Sequence, residues 1–130
     1  MDEKTKHNIR VAHYFDDKSA TDYLVKYRNI KELVEERGED SDTEYIVFYD
    51  DVKGKTGLTY GEFRDKVFKL GNYLKEQGIG YEDRIATFSH NHIDTFVLYY
   101  ASWCIGAVVV PINVNEEPDR VRYILDNSNT

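Results

Sequence analysis

Thr95 to Val114 is an uninterrupted run of 20 residues without a charge, and it constrains the fold more than any other feature of the chain. About 20 apolar residues is also the length that spans a bilayer. Gly106, the triplet Val108-Val109-Val110 and Pro111 break the run, however. It therefore divides into a helix over His92 to Ile105, capped by Asn91 and stopped by Gly106, and a strand over Ala107 to Ile112. No membrane span is expected. The inner stripe of the helix is Ile93, Phe96, Val97, Tyr100, Ala101 and Cys104. Leu98, Tyr99, Trp103 and Ile105 make its other faces apolar as well, so it must be covered on more than one side. The strand is apolar without alternation, as strands inside parallel sheets are.

Asp83 to Ser89 reads as a second strand just before this helix. Strand, helix and strand with short links form a βαβ unit, whose crossover is right-handed. Upstream, Thr59 opens a helix with a capping box. Its hydroxyl can accept from the amide of Glu62, Glu62 can reach back to the amide of Thr59, and Leu58 can staple onto Phe63. Phe63, Val67, Leu70 and Leu74 line one face of that helix, and Gly78 ends it. Tyr45 to Tyr49 is aromatic and β-branched, hence a strand, and DDVKGKTG leads from it into Leu58 as a hairpin. Asn29 and Glu32 resemble a capping box for a helix carrying Ile30, Leu33 and Val34, which Gly38 can close in a left-handed conformation.

Residues 1–28 scatter Tyr14, Phe15, Tyr23 and Tyr27 among charges, with a trace of helical spacing near Thr21 to Arg28. They read as an N-terminal extension packed on a body formed by residues 29–130. A last helix spans Asn115 to Asp126, entered through Glu116, Glu117 and Pro118, with Val121, Ile124 and Leu125 facing inward to cover the sheet. The order αβ(β)αβαβα describes an α/β protein, an incomplete three-layer sheet with βαβ units. The final helix has no strand to return to, so the chain is expected to be part of a longer one.

Composition excludes several functions. With 24 acidic against 17 basic residues the net charge is -7, so there is no cationic surface to collect nucleic-acid phosphates. The chain opens with charges of both signs and no apolar core, unlike a secretory signal. The single cysteine, Cys104, lies in the most apolar stretch, which fits a buried thiol in a reducing, cytoplasmic setting.

Motifs of chemical interest are few. Gly54-Lys55-Thr56 ends like a phosphate-binding loop, but the position that requires the leading glycine is Tyr49, so a solvated hairpin tip is expected. His90-Asn91-His92 offers two imidazoles, too few for a zinc site. Their place at a strand-to-helix turn still matters, because ligands of open α/β sheets bind beyond the carboxyl ends of the strands. His90 and Asn113 to Asn115 lie on that rim. Asp119, Arg120 and Arg122 form a charged outer helix face. No paired carboxylates and no nucleophile with its base can be found.

Two segments carry a resemblance. LTYGEF at Leu58 to Phe63 is similar to the Leu-Thr-Tyr-x-Glu-Leu opening of the AMP-forming acyl-CoA synthetases and adenylate-forming enzymes, and ASWCIGAVVVPIN resembles their Leu-x-Ala-Gly-x-x-x-x-Pro-Leu-Asn segment. GIGYEDRIATFSHNHIDTF between them is similar in layout to the family's Gly-Asp-Arg-Val strand and Pro-Asn-Ser turn. The resemblance covers roughly Asn29 to Thr130 and implies the N-terminal portion of the acetyl-CoA synthetase-like fold. Asn113 stands where amino-acid-activating modules often carry Asp, which leans the resemblance toward acyl- or aryl-CoA ligases.

The resemblance implies an enzyme that uses ATP and Mg to activate a carboxylic acid as its acyl-adenylate, with release of pyrophosphate, and then transfers the acyl group to CoA. It gives Thr59, Glu62, Gly106 and Pro111 structural roles. The chemistry in such enzymes belongs to a Ser/Thr/Gly-rich loop ending in Pro-Lys-Gly, nucleotide contacts, a Mg-binding acid and a C-terminal lysine, all downstream of the segments matched here. Residues 1–130 alone are therefore expected to be inactive and to bind no cofactor. The family often offers a basic residue to CoA just after the third strand, where Asn115 stands here, with Arg120 as the nearest substitute. Exposed apolar surface makes a homodimer the expected association. The alternative is a non-catalytic α/β module that acts in self-association or partner binding.

Overall fold

A computed structural model describes residues 2–12, 14–15, 18–19, 26–52 and 54–130, with backbone only for 9–12, 14–15 and 18–19. In chain order the elements are α1 (Glu3–Ala12), β1 (Tyr14–Phe15), β2 (Lys18–Ser19), α2 (Ile30–Arg37), β3 (Glu44–Asp50), β4 (Gly54–Thr59), α3 (Tyr60–Glu76), β5 (Arg84–Phe88), α4 (Ile93–Cys104), β6 (Val108–Ile112) and α5 (Pro118–Ser128). The strands pair as β1 with β2 and β3 with β4, both antiparallel, and β5 with β6 in parallel. The fold is mixed α/β, and its parallel pair runs in register from Arg84 opposite Val108 to Phe88 opposite Ile112.

The helix α4 is apolar nearly all round because three elements cover it: it packs on α2, α3 and β6. Val34 of α2, Phe63, Val67 and Leu74 of α3, and Ile93, Val97 and Ala101 of α4 make one core cluster. Burying apolar side chains of this size stabilises a fold by roughly 1.5–3 kcal/mol each. Inside this apolar layer Ser102 is fully buried, and its hydroxyl is satisfied by donating to the carbonyl of Leu98 at 2.7 Å.

Both hydrogen bonds of the capping box are made at the start of α3. Glu62 N–H donates to Thr59 Oγ1 at 3.2 Å, and Thr59 N–H donates to Glu62 Oε2 at 2.9 Å. Past α3 the backbone turns left-handed at Gly78, φ 86°. After α4 it does so at Gly106, φ 82°, whose carbonyl accepts from Glu82 N–H at 2.9 Å and ties the start of β5 to the start of β6.

Four sequence expectations need correction. Gly38 follows α2 in a right-handed conformation, φ -67°, not a left-handed one. It is buried against Arg64, whose Cδ stands 2.3 Å from where a Cβ would project. The cap of α4 is His92 rather than Asn91: its Nδ1 accepts from Asp94 N–H at 3.1 Å, and helical residues begin at Ile93. The last helix begins at Pro118, where a missing N–H costs nothing in the first turn, and runs to Ser128. No residue of α5 is buried, so Val121, Ile124 and Leu125 shield the sheet only in part.

The N-terminal segment includes a helix, α1, that its charged sequence did not announce. Most of the trace of helical spacing near Thr21 to Arg28 falls on residues 21–25, outside the described residues. Next to it, Lys26 pairs with Glu36 of α2, and Arg28 pairs with Glu32 at 2.9 Å.

Candidate functional site

The loops leaving β5 and β6 face each other beyond the carboxyl ends of the two strands. Ser89, His90 and Asn91 follow β5, Asn113, Val114 and Asn115 follow β6, and with Tyr99 and Pro111 they enclose a cavity of about 450 Å³. This is the position at which an open α/β sheet receives ligands.

Local hydrogen bonds set the rim. Asn113 Oδ1 accepts from Asn115 N–H at 2.9 Å and the Asn113 carbonyl accepts from Glu116 N–H at 3.0 Å, so one side chain shapes the turn into α5. Ser89, which lines the other wall, is held to α4 by its Oγ, 3.0 Å from Thr95 Oγ1. Thr87 Oγ1 and Tyr99 Oη, 3.3 Å apart, anchor β5 to α4 beneath it. The rim therefore presents neutral donors and acceptors on a fixed backbone, with His90 as its one imidazole. Such a surface can orient a polar ligand, but it holds no nucleophile with a base.

The structure brings His90, Asn113, Asn115 and Pro111 to this cavity. Arg120 is not among its lining residues; its guanidinium lies 5.2 Å from the centroid of the Tyr123 ring on α5. Sequence reasoning passed over Tyr99 as a site residue, because on a helix apolar all round nothing marks which polar atoms meet the rim.

The other chemical candidates resolve as structural groups. Lys55 and Thr56 are part of β4, and Lys55 pairs with Glu44 at 2.9 Å, so no phosphate loop forms there. His92 spends Nδ1 on capping α4, and its ring meets Phe48 edge-on with centroids 5.2 Å apart. Among the described residues no three His, Cys, Asp or Glu side chains are placed to hold a metal ion. Partial burial pushes the Cys104 thiol up to about 11 against an opposing effect from Lys31, so at neutral pH it is a protonated, half-buried group packed against the core. No helix among the described residues is long and apolar enough to cross a membrane.

Comparison with known proteins agrees with this architecture. Residues 34–130 match the model of the AMP-binding enzyme family. The chain is 34% identical over 77 residues to 3-hydroxybenzoate--CoA ligase of Aromatoleum sp. (strain CIB), an alignment covering 59% of this chain and 15% of that protein. It is 28% identical over 128 residues to tyrocidine synthase 3 of Brevibacillus parabrevis, covering 98% of this chain and 2% of that protein. In fold it is similar to the N-terminal domain of FACL13 from Mycobacterium tuberculosis, with a TM-score of 0.71 at 24% identity, covering 80% of this chain and 26% of that one. The chain thus spans a small part of the length of the proteins it matches. With a family match that takes in the core, the parallel pair and the rim, the chain belongs to the AMP-binding enzyme family.

Proposed function

We propose that residues 34–130 form the N-terminal scaffold of an ATP-dependent, AMP-forming acid–thiol ligase that works in the cytoplasm, activates a carboxylic acid as its adenylate and passes it to CoA. The observation that carries this reading is the family match over residues 34–130, joined to relatives named as CoA ligases. In this reading the contribution of the chain is positional: α3 and α4 hold the β5–β6 pair, and the loop from Asn113 to Asn115 offers one wall of a ligand cavity. Asn115 is the residue assigned to CoA, and Arg120 on the exposed face of α5 is a second contact. ATP and Mg are bound and used by other parts of the whole protein, so residues 1–130 by themselves are inactive.

The test is pyrophosphate release, measured in parallel for the whole gene product and for residues 1–130 with ATP, Mg and short, medium and aromatic carboxylates, with and without CoA. Carboxylate-dependent release from the whole product alone is the expected result. Release from neither would overturn the ligase reading, and release from residues 1–130 would overturn their inactivity. In the whole product, N115A and R120A are each expected to raise KM for CoA by about fivefold at unchanged kcat, the equivalent of one lost hydrogen bond.

A second reading, self-association of residues 1–130, is favoured by apolar side chains left open on both parallel strands, Phe88 at 56% and Val108 at 45% exposure. Sedimentation velocity across a concentration series checks it; a compact monomer throughout would exclude it.

A further inference from the structure

A separate cavity of about 230 Å³ opens where α2, β3, α3 and α4 meet, and it shares no residue with the rim. Its walls are aromatic. Tyr45 and Tyr60 stack with centroids 4.3 Å apart, and Phe63 stands edge-on to Tyr45 and to Tyr100, each with centroids 5.1 Å apart. Contacts of this kind hold each ring in one orientation, so the walls are pre-formed. Leu33 adds an aliphatic surface, and Arg37 supplies the one charged group of the lining.

The charge on Arg37 is not neutralised. Lys26, Arg28, Lys55 and Arg64 each pair with a carboxylate, whereas Arg37 has no ion-pair partner among the described residues, its neighbour Glu36 being taken by Lys26. Burial, reinforced by the Tyr100 hydroxyl, pushes the Tyr45 phenol well above its ordinary range. That wall therefore stays neutral, and the lining carries one positive charge. Aromatic walls alone would suit a quaternary ammonium ion. Arg37, exposed at the edge of the lining, reverses that preference, because a guanidinium repels cations and pairs with a carboxylate through two parallel hydrogen bonds.

We infer that this cavity is a binding site for a small aryl carboxylate, with the ring against Tyr45, Tyr60 and Phe63 and the carboxylate on Arg37. It goes beyond the ligase reading and does not rest on it, since the cavity lies apart from the rim and contains no reacting group. It is an accessory site, which holds an acid without converting it.

The test is a titration of residues 1–130 with sodium benzoate, read by the fluorescence of Trp103. This is the chain's single tryptophan, and its ring centroid is 5.2 Å from that of Tyr100 on the cavity wall. A saturable change with a Kd on the order of 1 mM is expected for a ligand of this size. R37M weakens it about tenfold or more, and R37K, which keeps the charge but not the fork, falls between. Benzyl alcohol and tetramethylammonium give no saturable response over the same range. Amide chemical shifts of Arg37, Tyr45 and Tyr60 move with benzoate, while those of Asn113 to Asn115 do not. The inference is overturned by no saturable response to benzoate, by equal affinity in R37M, by preference for tetramethylammonium, or by shifts confined to the rim. Because binding rather than pyrophosphate is read, failure here leaves the ligase reading standing, and failure of that reading leaves this site standing.

Discussion

The guanidinium of Arg64 on α3 donates to the carbonyl of Gly38 at 3.0 Å, across the turn that leaves α2, while its Nη2 pairs with Asp65 at 2.9 Å. The bond satisfies a helix-end carbonyl with a side chain from a neighbouring helix. It also explains why position 38 is glycine although its backbone is right-handed: a Cβ there would fall 2.8 Å from Arg64 Cβ and 2.3 Å from its Cδ. Gly38→Ala is expected to destabilise the fold by about 1–2 kcal/mol, as a close contact and a hydrogen bond are lost together. In a double-mutant cycle measured by urea denaturation, Arg64→Ala should remove much of that penalty. Additive costs would show that the two residues act independently.

At the start of α3, Thr59→Ala should cost about 1 kcal/mol, because it removes the acceptor for Glu62 N–H. Glu62→Ala should cost a similar amount, and the double variant less than their sum, since each side chain satisfies the other's backbone. Thermal unfolding of the three variants checks this.

Two glycines should respond in opposite directions to alanine. Gly71 lies in the middle of α3, where an added Cβ would meet Ile105 Cγ2 at 3.5 Å and the Ala101 carbonyl at 3.6 Å, ordinary contact distances. Gly71→Ala is expected to stabilise by up to about 1 kcal/mol through helix propensity. Gly106 has a left-handed backbone, and a Cβ there would lie 2.8 Å from Tyr81 Cδ2. Gly106→Ala should destabilise by more than about 1 kcal/mol. Equal midpoints for the two variants in denaturant would contradict both statements.

The thiol of Cys104 gives a prediction with a definite sign in pH. Its folded value of about 11 lies above the ordinary 9.0, because burial disfavours the thiolate. Between those values the folded chain holds a proton that the unfolded chain has released. This contribution to stability is complete below pH 9 and falls as pH rises through 11. Iodoacetamide should accordingly react slowly with the native chain at pH 8 and rapidly in 6 M urea. Comparable rates in the two states would mean that the thiol is exposed.

The elements that were legible in the sequence are those whose signals are local. The capping box at Thr59 and Glu62, the stripe from Phe63 to Leu74, the hairpin around Gly54 and the break at Gly106 each depend on residues within a turn or two of one another. The parallel pairing of β5 and β6 was legible because a strand with apolar residues on both faces belongs inside a covered sheet. The helix α1 was not, since its charged residues carry no apolar stripe. The cap of α4 was misplaced by one residue, because Asn91 and His92 both carry a suitable acceptor and only the folded backbone distinguishes them.

The sites divide in the same way. From the residues alone came the family, through the order and spacing of its motifs, and the rim, through the rule that sheet ligands lie beyond strand ends. The company each side chain keeps was decided only by tertiary packing: Asn115 on the cavity wall and Arg120 off it, Lys55 neutralised by Glu44, and Arg37 left beside Tyr45, Tyr60 and Tyr100. Arg37, Tyr45, Tyr60 and Tyr100 lie on four different elements and meet only when α2, β3, α3 and α4 close around their shared core. A sequence specifies its local hydrogen bonds and apolar periods directly. Contacts between distant segments follow from how those periods pack, which no short window of sequence contains.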